Sequence, residues 1–331
     1  MKRLLLVHTG GTLGMTGNRP TPLKPDALAS TVHAFVPELR RIAELDFEVL
    51  FNLDSSDLQP EQIGEIASFL HTRWSRYDGF VVIHGTDAMA YTASALSFLF
   101  RGLDKPVVIT GSQRPIGEIR SDAKPNLIAA CTLAAEEHPI CEVGVFFGTE
   151  LLRGCRAKKI HTAHFDAFES PNCAPLARLG VEIERGAHAR GPGTGIAAPT
   201  PLSHELFAFR VFPGIDPSVP ARLLESDVKG VVLEAFGSGN VATRGRAFAP
   251  FVHVASSRGV PVVVVTQCLH GAVDATLYEG GQQMLEAGAI PAGDMTVEAA
   301  LAKLSVLLGR RTPLAGIRSA FVEDWAGERT S

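Results

Sequence analysis

LLLVHTGGT, residues 4–12, joins a short apolar run to a turn built from glycine and hydroxyl residues, and this pattern indicates the fold class. The same pattern occurs three more times in the first half of the chain, as FVVI-HGTD (80–87), VVI-TGSQ (107–113) and VGVFF-GT (143–149). Apolar runs of this length, bounded by turn residues, are typical of parallel strands that are buried on both faces. We therefore predict a parallel sheet whose strands end in these turns.

Helical patterns lie between the predicted strands, over residues 60–76, 88–101 and 122–138. Pro60 occupies the first-turn position that proline favours, and Gly102 and Pro139 end the second and third patterns. Strands that alternate with helices predict crossover connections within one sheet. The expected fold class is α/β, with a doubly wound, mostly parallel sheet.

The chain is long enough for two domains, because 331 residues exceed the roughly 100–200 residues of a typical domain. A Gly- and Pro-rich stretch that begins near residue 186 lacks hydrophobic periodicity and predicts a linker over 186–212. We expect a larger N-terminal domain at 1–185 and a smaller C-terminal α/β domain at 213–331. In the second domain, strand-like runs at 228–236 and 260–266 precede helical patterns at 280–287 and 296–308.

Composition and charge exclude several classes of protein. With 20% charged and 46% hydrophobic residues, the chain is neither disordered nor fibrous. A net charge of −4, without basic runs among aromatic residues, argues against a nucleic-acid partner. No apolar run approaches the ~18 residues of a membrane span, and the first run ends at Val7, too early for a signal peptide, so we expect a cytoplasmic protein without a membrane partner. The five cysteines lack CxxC spacing, which argues against a disulfide framework and a zinc site.

The turns at the predicted strand ends carry the candidate site, since ligands of open parallel sheets lie beyond the carboxyl ends of the strands. These turns, and the loop after a further strand at 47–51, supply hydroxyl, amide and carboxyl groups: Thr12, Asp54, Ser55, Ser56, Asp57, Thr86, Asp87, Ser112 and Gln113. Such a site suits a small zwitterion, whose amino group meets an Asp and whose carboxylate meets hydroxyls and backbone N–H groups. It is too poor in Arg to suit a phosphate.

Each motif alone also has a structural explanation. The turn before Thr12 can be a plain turn, because a Thr nucleophile needs an activating base and none is adjacent. Asp87 can cap the following helix. GSGNVA (237–242) matches the dinucleotide pattern G-x-G-x-x-A, but no ribose-binding acid follows at the required distance, so a plain turn is favoured. His161 and His164 lack the HExxH context of a metal site.

In this order and spacing, the motifs resemble the bacterial-type L-asparaginases, most closely their cytosolic type I branch. The resemblance extends over essentially the whole chain and rests on HTGGTLGM (8–15), DSSD (54–57), HGTDAMAYTASAL (84–96), TGSQ (110–113), FDAF (165–168), TQC (266–268) and GDMTVEA (293–299). Two Thr motifs together with the Asp-Ser-Ser loop make this set highly specific.

The resemblance implies roles for the site residues. Thr12 is the implied nucleophile, which forms a β-aspartyl enzyme and releases ammonia from the side-chain amide. Thr86, Asp87 and Lys159 are the implied second catalytic group, with Lys158 as the adjacent alternative. Substrate binding is implied for Asp54, Ser55, Ser56, Thr86 and Asp87. Within that set, Ser55 holds the α-carboxylate, Asp87 holds the α-amino group, and backbone N–H groups near Thr12 and Thr86 meet the oxyanion.

The implied activity is conversion of L-asparagine and water to L-aspartate and ammonia, without metal or organic cofactor, by a homodimer or homotetramer. One alternative is the amidase subunit of a glutamyl-tRNA amidotransferase. It ranks lower because such subunits carry an extra N-terminal domain, whereas the first predicted strand here begins at about Arg3. Another alternative is an amino-acid sensor that uses the same pocket without catalysis.

The sequence departs from the family pattern in three places. The family carries a Tyr in the loop after the first Thr turn, but residues 15–23 contain none. Ala88 stands where relatives commonly have Thr, and Glu234 stands where the cytosolic branch can have Arg. The first departure leaves the initial proton acceptor unassigned.

Overall fold

The computed structural model describes residues 1–16, 21–22, 30–32 and 34–330. The chain forms two compact units, which divide between Pro199 and Thr200. This division falls inside the segment 186–212 for which the sequence predicts a linker. In the described ranges, no helix combines the length and the apolar character needed to cross a membrane.

The first unit is built around a large mixed sheet. The strands of this unit are β1 (Arg3–Gly10), β2 (Met15–Thr16), β3 (Thr21–Pro22), β4 (Glu44–Leu53), β5 (Gly79–Ile83), β6 (Val107–Thr110), β7 (Val143–Phe147), β8 (Glu150–Arg153), β9 (Lys158–Lys159), β10 (Phe168–Glu169), β11 (Ala177–Leu179) and β12 (Ile183–Arg185). Over the described residues, eight of them form one sheet in the order β12-β11-β8-β7-β6-β5-β1-β4. β4, β1, β5, β6 and β7 run parallel to one another, whereas the pairs β7–β8, β8–β11 and β11–β12 are antiparallel.

Helices cover this sheet at α1 (Pro60–Arg73), α2 (Met89–Leu99) and α3 (Ala123–Ala135). Short 3-10 turns lie at Thr12–Gly14, Pro37–Arg41, Ser55–Asp57, Trp74–Arg76 and Gly154–Arg156. Apolar side chains of the parallel strands are buried against α3, as in the cluster of Leu4, Leu6, Val81 and Leu127. Because β1, β5, β6 and β7 are buried on both faces, their sequences contain continuous apolar runs, as predicted from the sequence.

The second unit has a smaller sheet with helices. Its strands β13 (Leu206–Arg210), β14 (Gly230–Ala235), β15 (Val262–Thr266) and β16 (Ile290–Pro291) are parallel and adjacent in this order. Its helices are α4 (Ser218–Leu223), α5 (Ala249–Ser257), α6 (Glu279–Glu286), α7 (Val297–Gly309) and α8 (Leu314–Val322). The α/β class, with a larger and a smaller parallel-sheet unit, is thereby confirmed.

Some elements of the second unit go beyond the sequence prediction. β13 lies within 186–212, and α5 and α8 lie in stretches without a predicted helix. Over the described part of the chain, β13 pairs with β14 alone, and each of its residues is half-buried or exposed. A five-residue edge strand of this kind carries a weaker apolar signal than the central strands β14 and β15.

Candidate active site

Three turns at the carboxyl edge of the large sheet are in direct contact through glycines. Gly11, after β1, has φ +90, and a Cβ atom there would lie 2.5 Å from the Cα atom of Gly85. A Cβ atom on Gly85, after β5, would lie 2.5 Å from Oγ of Ser55. Such distances are shorter than any side chain tolerates, so glycine is required at both positions. The turns that carry Thr12, Ser55 and Thr86 therefore meet, as parallel neighbouring strands predict.

Lys159 joins these turns from a separate hairpin. Its Nζ donates to Oγ1 of Thr86 at 2.8 Å and to Oδ1 of Asp87 at 2.6 Å. The Lys159 side chain is 20% exposed, whereas that of Asp87 is 67% exposed. Asp87 does not cap the following helix, because α2 begins after Ala88 and has no side-chain cap. The carboxylate faces the lysine instead.

Ser55 connects two of the turns by hydrogen bonds. Its Oγ accepts from the backbone N–H of Asp87 at 3.2 Å and of Ala88 at 3.4 Å, and the residue is buried. Since the oxygen accepts both bonds, the Ser55 hydroxyl proton points away from them and can donate to another group.

Asp54 and Ser56 form the edge of the same loop. Oδ1 of Asp54 accepts from the backbone N–H and the hydroxyl of Ser56, both at 2.9 Å. These bonds, the backbone N–H first, hold the pKa of Asp54 below its usual value. The carboxylate thus fixes the 3-10 turn Ser55–Asp57, and both Asp54 and Ser56 are exposed.

His84 supports the Thr86 turn from below, and no sequence motif assigns it a role. Its Nδ1 lies 2.7 Å from the carbonyl of Gly85, and its Nε2 lies 3.0 Å from the hydroxyl of Thr92 on α2. Because a carbonyl only accepts, we assign the proton to Nδ1, and Nε2 accepts from Thr92. Burial lowers the pKa of His84 to about 4, so the ring is neutral. No local pattern distinguishes such a histidine from one in a plain turn.

Thr12 lies at the start of the 3-10 turn Thr12–Gly14, behind Gly11, and is partly exposed. Among the described residues, its hydroxyl has no hydrogen-bond partner. The loop 15–23, in which the sequence has no Tyr, includes residues 17–20 and 23, which lie outside the described residues.

The remaining candidate residues from the sequence lie at the margin of this site or away from it. After β6, Ser112 donates to the carbonyl of Arg114, and Gln113 donates to the carbonyl of His164. His161 and His164 stack with ring centroids 3.9 Å apart. Lys158 is opposite Glu169 in the hairpin of Lys159.

The turn at 237–242 does not open a helix. Phe236 and Asn240 form a bridge across it, and the next helix, α5, begins only at Ala249. A dinucleotide-binding turn leads directly into its helix, so the plain turn favoured by the sequence describes this segment.

Both halves of the chain match family models. The model "Asparaginase, N-terminal" matches residues 3–189, and the model "Glutaminase/Asparaginase C-terminal domain" matches residues 206–321. The chain belongs to the asparaginase family. It is therefore a hydrolase of that family, and the resemblance seen in the sequence motifs is confirmed.

Individual relatives match over nearly the whole chain. L-asparaginase 1 of Escherichia coli K12 is 40% identical over 334 residues, which cover 99% of this chain and 98% of the relative. A glutamyl-tRNA(Gln) amidotransferase subunit of Aeropyrum pernix is 39% identical, and the match covers 99% of this chain and 79% of that relative. The crystal structure of L-asparaginase I from Vibrio cholerae superposes with a TM-score of 0.91 at 38% identity, covering 100% of this chain and 99% of that one.

Proposed function

We propose that the chain hydrolyses L-asparagine to L-aspartate and ammonia through an ester of Thr12. One observation carries this proposal: Nζ of Lys159 bonds to both Thr86 and Asp87, at 2.8 and 2.6 Å, beside the turn of Thr12. A hydroxyl, an amine and a carboxylate at the edge of a parallel sheet are the groups that acyl transfer requires. The family and the similarity to L-asparaginase 1 of E. coli support the choice of substrate.

The amine of Lys159 is the group proposed to move protons. A lysine amine held beside a Thr hydroxyl relays a proton to or from it. Nζ of Lys159 donates to the Thr86 hydroxyl at 2.8 Å, Thr86 is buried, and the Lys159 side chain is only 20% exposed, so water competes little for this contact.

Two groups of the site have a hydrogen-bonding atom left over with which to bind the substrate. One oxygen of Asp87 accepts from Lys159, which leaves Oδ2 for the α-ammonium group of asparagine. The hydroxyl proton of Ser55 is available for the α-carboxylate, because its oxygen already accepts two backbone N–H bonds. Asp54 and Ser56 line the exposed edge of this binding site.

The reaction proceeds in two halves. Thr12 Oγ1 forms a bond to the amide carbon, the C–N bond breaks, and the hydroxyl proton leaves with the amide nitrogen as ammonia. Water then attacks the ester, the C–O bond to Thr12 breaks, and aspartate leaves while Thr12 regains its proton. We propose that backbone N–H groups of the two Thr turns donate to the oxyanion in both halves.

Ammonia release by purified protein tests this proposal, with L-asparagine, L-glutamine and D-asparagine offered in parallel. We expect Thr12→Ala to abolish hydrolysis and leave the fold intact, because this turn residue contributes little burial. Thr12→Ser keeps a hydroxyl and is the matched control, for which we expect retained activity. Near-wild-type turnover by Thr12→Ala would remove Thr12 from the role of nucleophile.

The same assay separates the alternatives. A non-catalytic sensor binds asparagine without releasing ammonia. The similarity to the A. pernix relative supports an amidotransferase subunit as the second alternative. As one part of a larger complex, such a subunit is expected to turn over free asparagine slowly by itself. Rapid turnover of free asparagine therefore favours the proposed hydrolase over both.

We also propose that the chain acts as a homodimer or homotetramer. The family resemblance supports this proposal, and so do large apolar side chains that are exposed in the second unit, such as Phe212 at 55% and Leu277 at 61%. Light scattering at micromolar concentration is expected to give at least twice the monomer mass. A fully active monomer contradicts it.

A further inference from the structure

Lys159 lies on a hairpin with little stabilisation of its own. Its strands β9 and β10 have two residues each, and the N–H of Ile160 donates to the carbonyl of Ala167 at 2.9 Å. Hairpins of two strands are marginal by themselves. Residues 161–166, between the strands, are exposed. The position of the Lys159 amine therefore depends on the contacts that other elements make with this hairpin.

Gln113, in the turn after β6, makes one such contact. Its side-chain Nε2 donates to the carbonyl of His164 at 3.0 Å, across 51 residues of sequence. The same turn also touches the Thr86 turn, because a Cβ atom on Gly111 would lie 2.3 Å from the carbonyl oxygen of His84. One turn thus contacts both the backbone before Thr86 and the hairpin that carries Lys159.

Asp122 and Asn126, at the start of α3, hold this turn in place. The Asp122 carboxylate accepts from the N–H of Gln113 at 2.9 and 3.1 Å and from the N–H of Arg114 at 3.1 Å. Asn126 Nδ2 donates to the carbonyl of Gly111 at 3.0 Å. Asp122 is 6% exposed and Asn126 is 1% exposed, so water competes little with these bonds.

Asn126 also supports the hairpin by a second route, through the turn after β7. The N–H of Gly148 donates to Oδ1 of Asn126 at 3.3 Å. A Cβ atom on Gly148 would lie 2.3 Å from Oδ1 of Asp166 in the hairpin loop, so backbone and carboxylate are in close contact. Both neighbouring turns are therefore fixed by α3, and both contact the loop 160–167.

We propose that Gln113, held by Asp122 and Asn126, is a positioning residue that keeps the Lys159 amine on Thr86 and Asp87. Gln113 acts through the hairpin and not on the substrate. This inference rests on the proposed function, because only there does the Lys159 amine take part in the reaction. A displacement of about 1 Å at a reacting group can lower the rate by about 10²-fold.

Gln113→Met tests the contact, because methionine keeps the length of the side chain and removes the donor. Glu118→Gln is the matched control: Glu118 belongs to the same loop, and its side chain pairs with the exposed Arg114 at 2.7 Å. We expect Gln113→Met to lower kcat for asparagine by about 10-fold or more, with KM changed by less than about 3-fold. Glu118→Gln is expected to keep both values.

Two further measurements distinguish positioning from general damage. In a Lys159→Met background, Gln113→Met is expected to cause no additional loss of kcat, because its effect requires the amine. Backbone amide hydrogen exchange in residues 158–169 is expected to accelerate in Gln113→Met and to stay unchanged in Glu118→Gln.

Unchanged exchange in the hairpin, or an equal loss of kcat with and without Lys159, overturns the proposal. Full activity of Lys159→Met has a different meaning, since it refutes the role of Lys159 in the proposed function. The exchange measurement then still shows whether Gln113 holds the hairpin.

Discussion

At the scale of single residues, Gly11 limits how the two Thr turns can pack against each other. Its φ of 90 and ψ of 174 belong to a region that is open essentially to glycine alone, and its backbone touches Gly85. We expect Gly11→Ala to destabilise the protein by about 1–3 kcal/mol and to remove most activity, because both Thr turns must move apart. Gly64→Ala is the control, since a Cβ atom on Gly64 in α1 meets nothing within 4 Å. Thermal unfolding and asparagine turnover of the two variants test this expectation. Equal stability and equal turnover of the two variants would contradict it.

The spacing of the substrate anchors predicts a preference for asparagine over glutamine. Ser55 and Asp87 are linked through a hydrogen bond from the Asp87 N–H at 3.2 Å, and both lie in the turns that follow β4 and β5. One added methylene shifts the reacting carbonyl by roughly 1 Å, which can cost about 10²-fold in rate. We therefore expect kcat/KM for asparagine to exceed that for glutamine by about this factor in parallel ammonia assays. Equal kcat/KM values for the two amides would contradict the assignment of asparagine as the substrate, even if Thr12 remains the nucleophile.

The candidate site was only partly accessible from local sequence. Thr12, Thr86 and Asp87 could be identified because each follows an apolar run that ends at a sheet edge. Lys159 could not be found in this way: it lies 73 residues from Thr86 on a two-residue strand, and only the family resemblance indicates it. The support that His84 gives comes from side-chain bonds in the folded chain, which no local pattern encodes.

At the scale of elements, burial on both faces made the central strands predictable. β5, β6 and β7 begin and end within one residue of the apolar runs that indicate them. β11 and β12 were not predicted, because each has three residues and includes charged ones such as Arg178 and Glu184. Their pairing depends on neighbours that the sequence does not reveal.

Helix α7 carries a buried charge that fixes the chain after α8. Lys303 is fully buried, and its Nζ donates to the carbonyl of Glu323 at 2.8 Å and pairs with the carboxylate of Glu328. Glu328 also accepts from the backbone N–H of Trp325 and Ala326. Burial lowers the pKa of Lys303, and the charge of Glu328 opposes this shift. The run VEAALAKLSVLLG gives no sign of this pair.

Removal of this lysine leaves a carboxylate buried without its cation. We expect Lys303→Met to lower the free energy of unfolding of the second unit by about 3–5 kcal/mol. The double variant Lys303→Met with Glu328→Gln is expected to lose clearly less than the sum of the single losses, because the two side chains are coupled. Urea unfolding, followed by Trp325 fluorescence in a Trp74→Phe background, measures the free energy of unfolding with neither substitution, with each single substitution and with both. Additive losses contradict the coupling.

At the scale of the whole molecule, two histidines at the centre of the first unit couple its stability to pH. His8 and His84 are buried in β1 and directly after β5, on neighbouring strands. Burial lowers the pKa of each from 6.5 to about 4. The residues beneath both Thr turns are therefore neutral in the folded protein at neutral pH. Unfolding exposes both rings to water, where their ordinary pKa returns.

This difference predicts acid sensitivity with a definite sign. Between pH 6.5 and about 4, both histidines are protonated in the unfolded chain but neutral in the folded chain. The free energy of unfolding is therefore highest above pH 6.5 and decreases as the pH falls towards 4. Each histidine accounts for about 3 kcal/mol over this range.

His8→Leu should reduce the slope of unfolding free energy against pH near pH 5 by about one proton, or ~1.4 kcal/mol per pH unit. His138→Gln, at the surface, should leave it unchanged. Urea unfolding in a Trp325→Phe background, where Trp74 reports on the first unit, gives the slopes. If His8→Leu has the wild-type slope, the ring of His8 is not the source of the acid sensitivity.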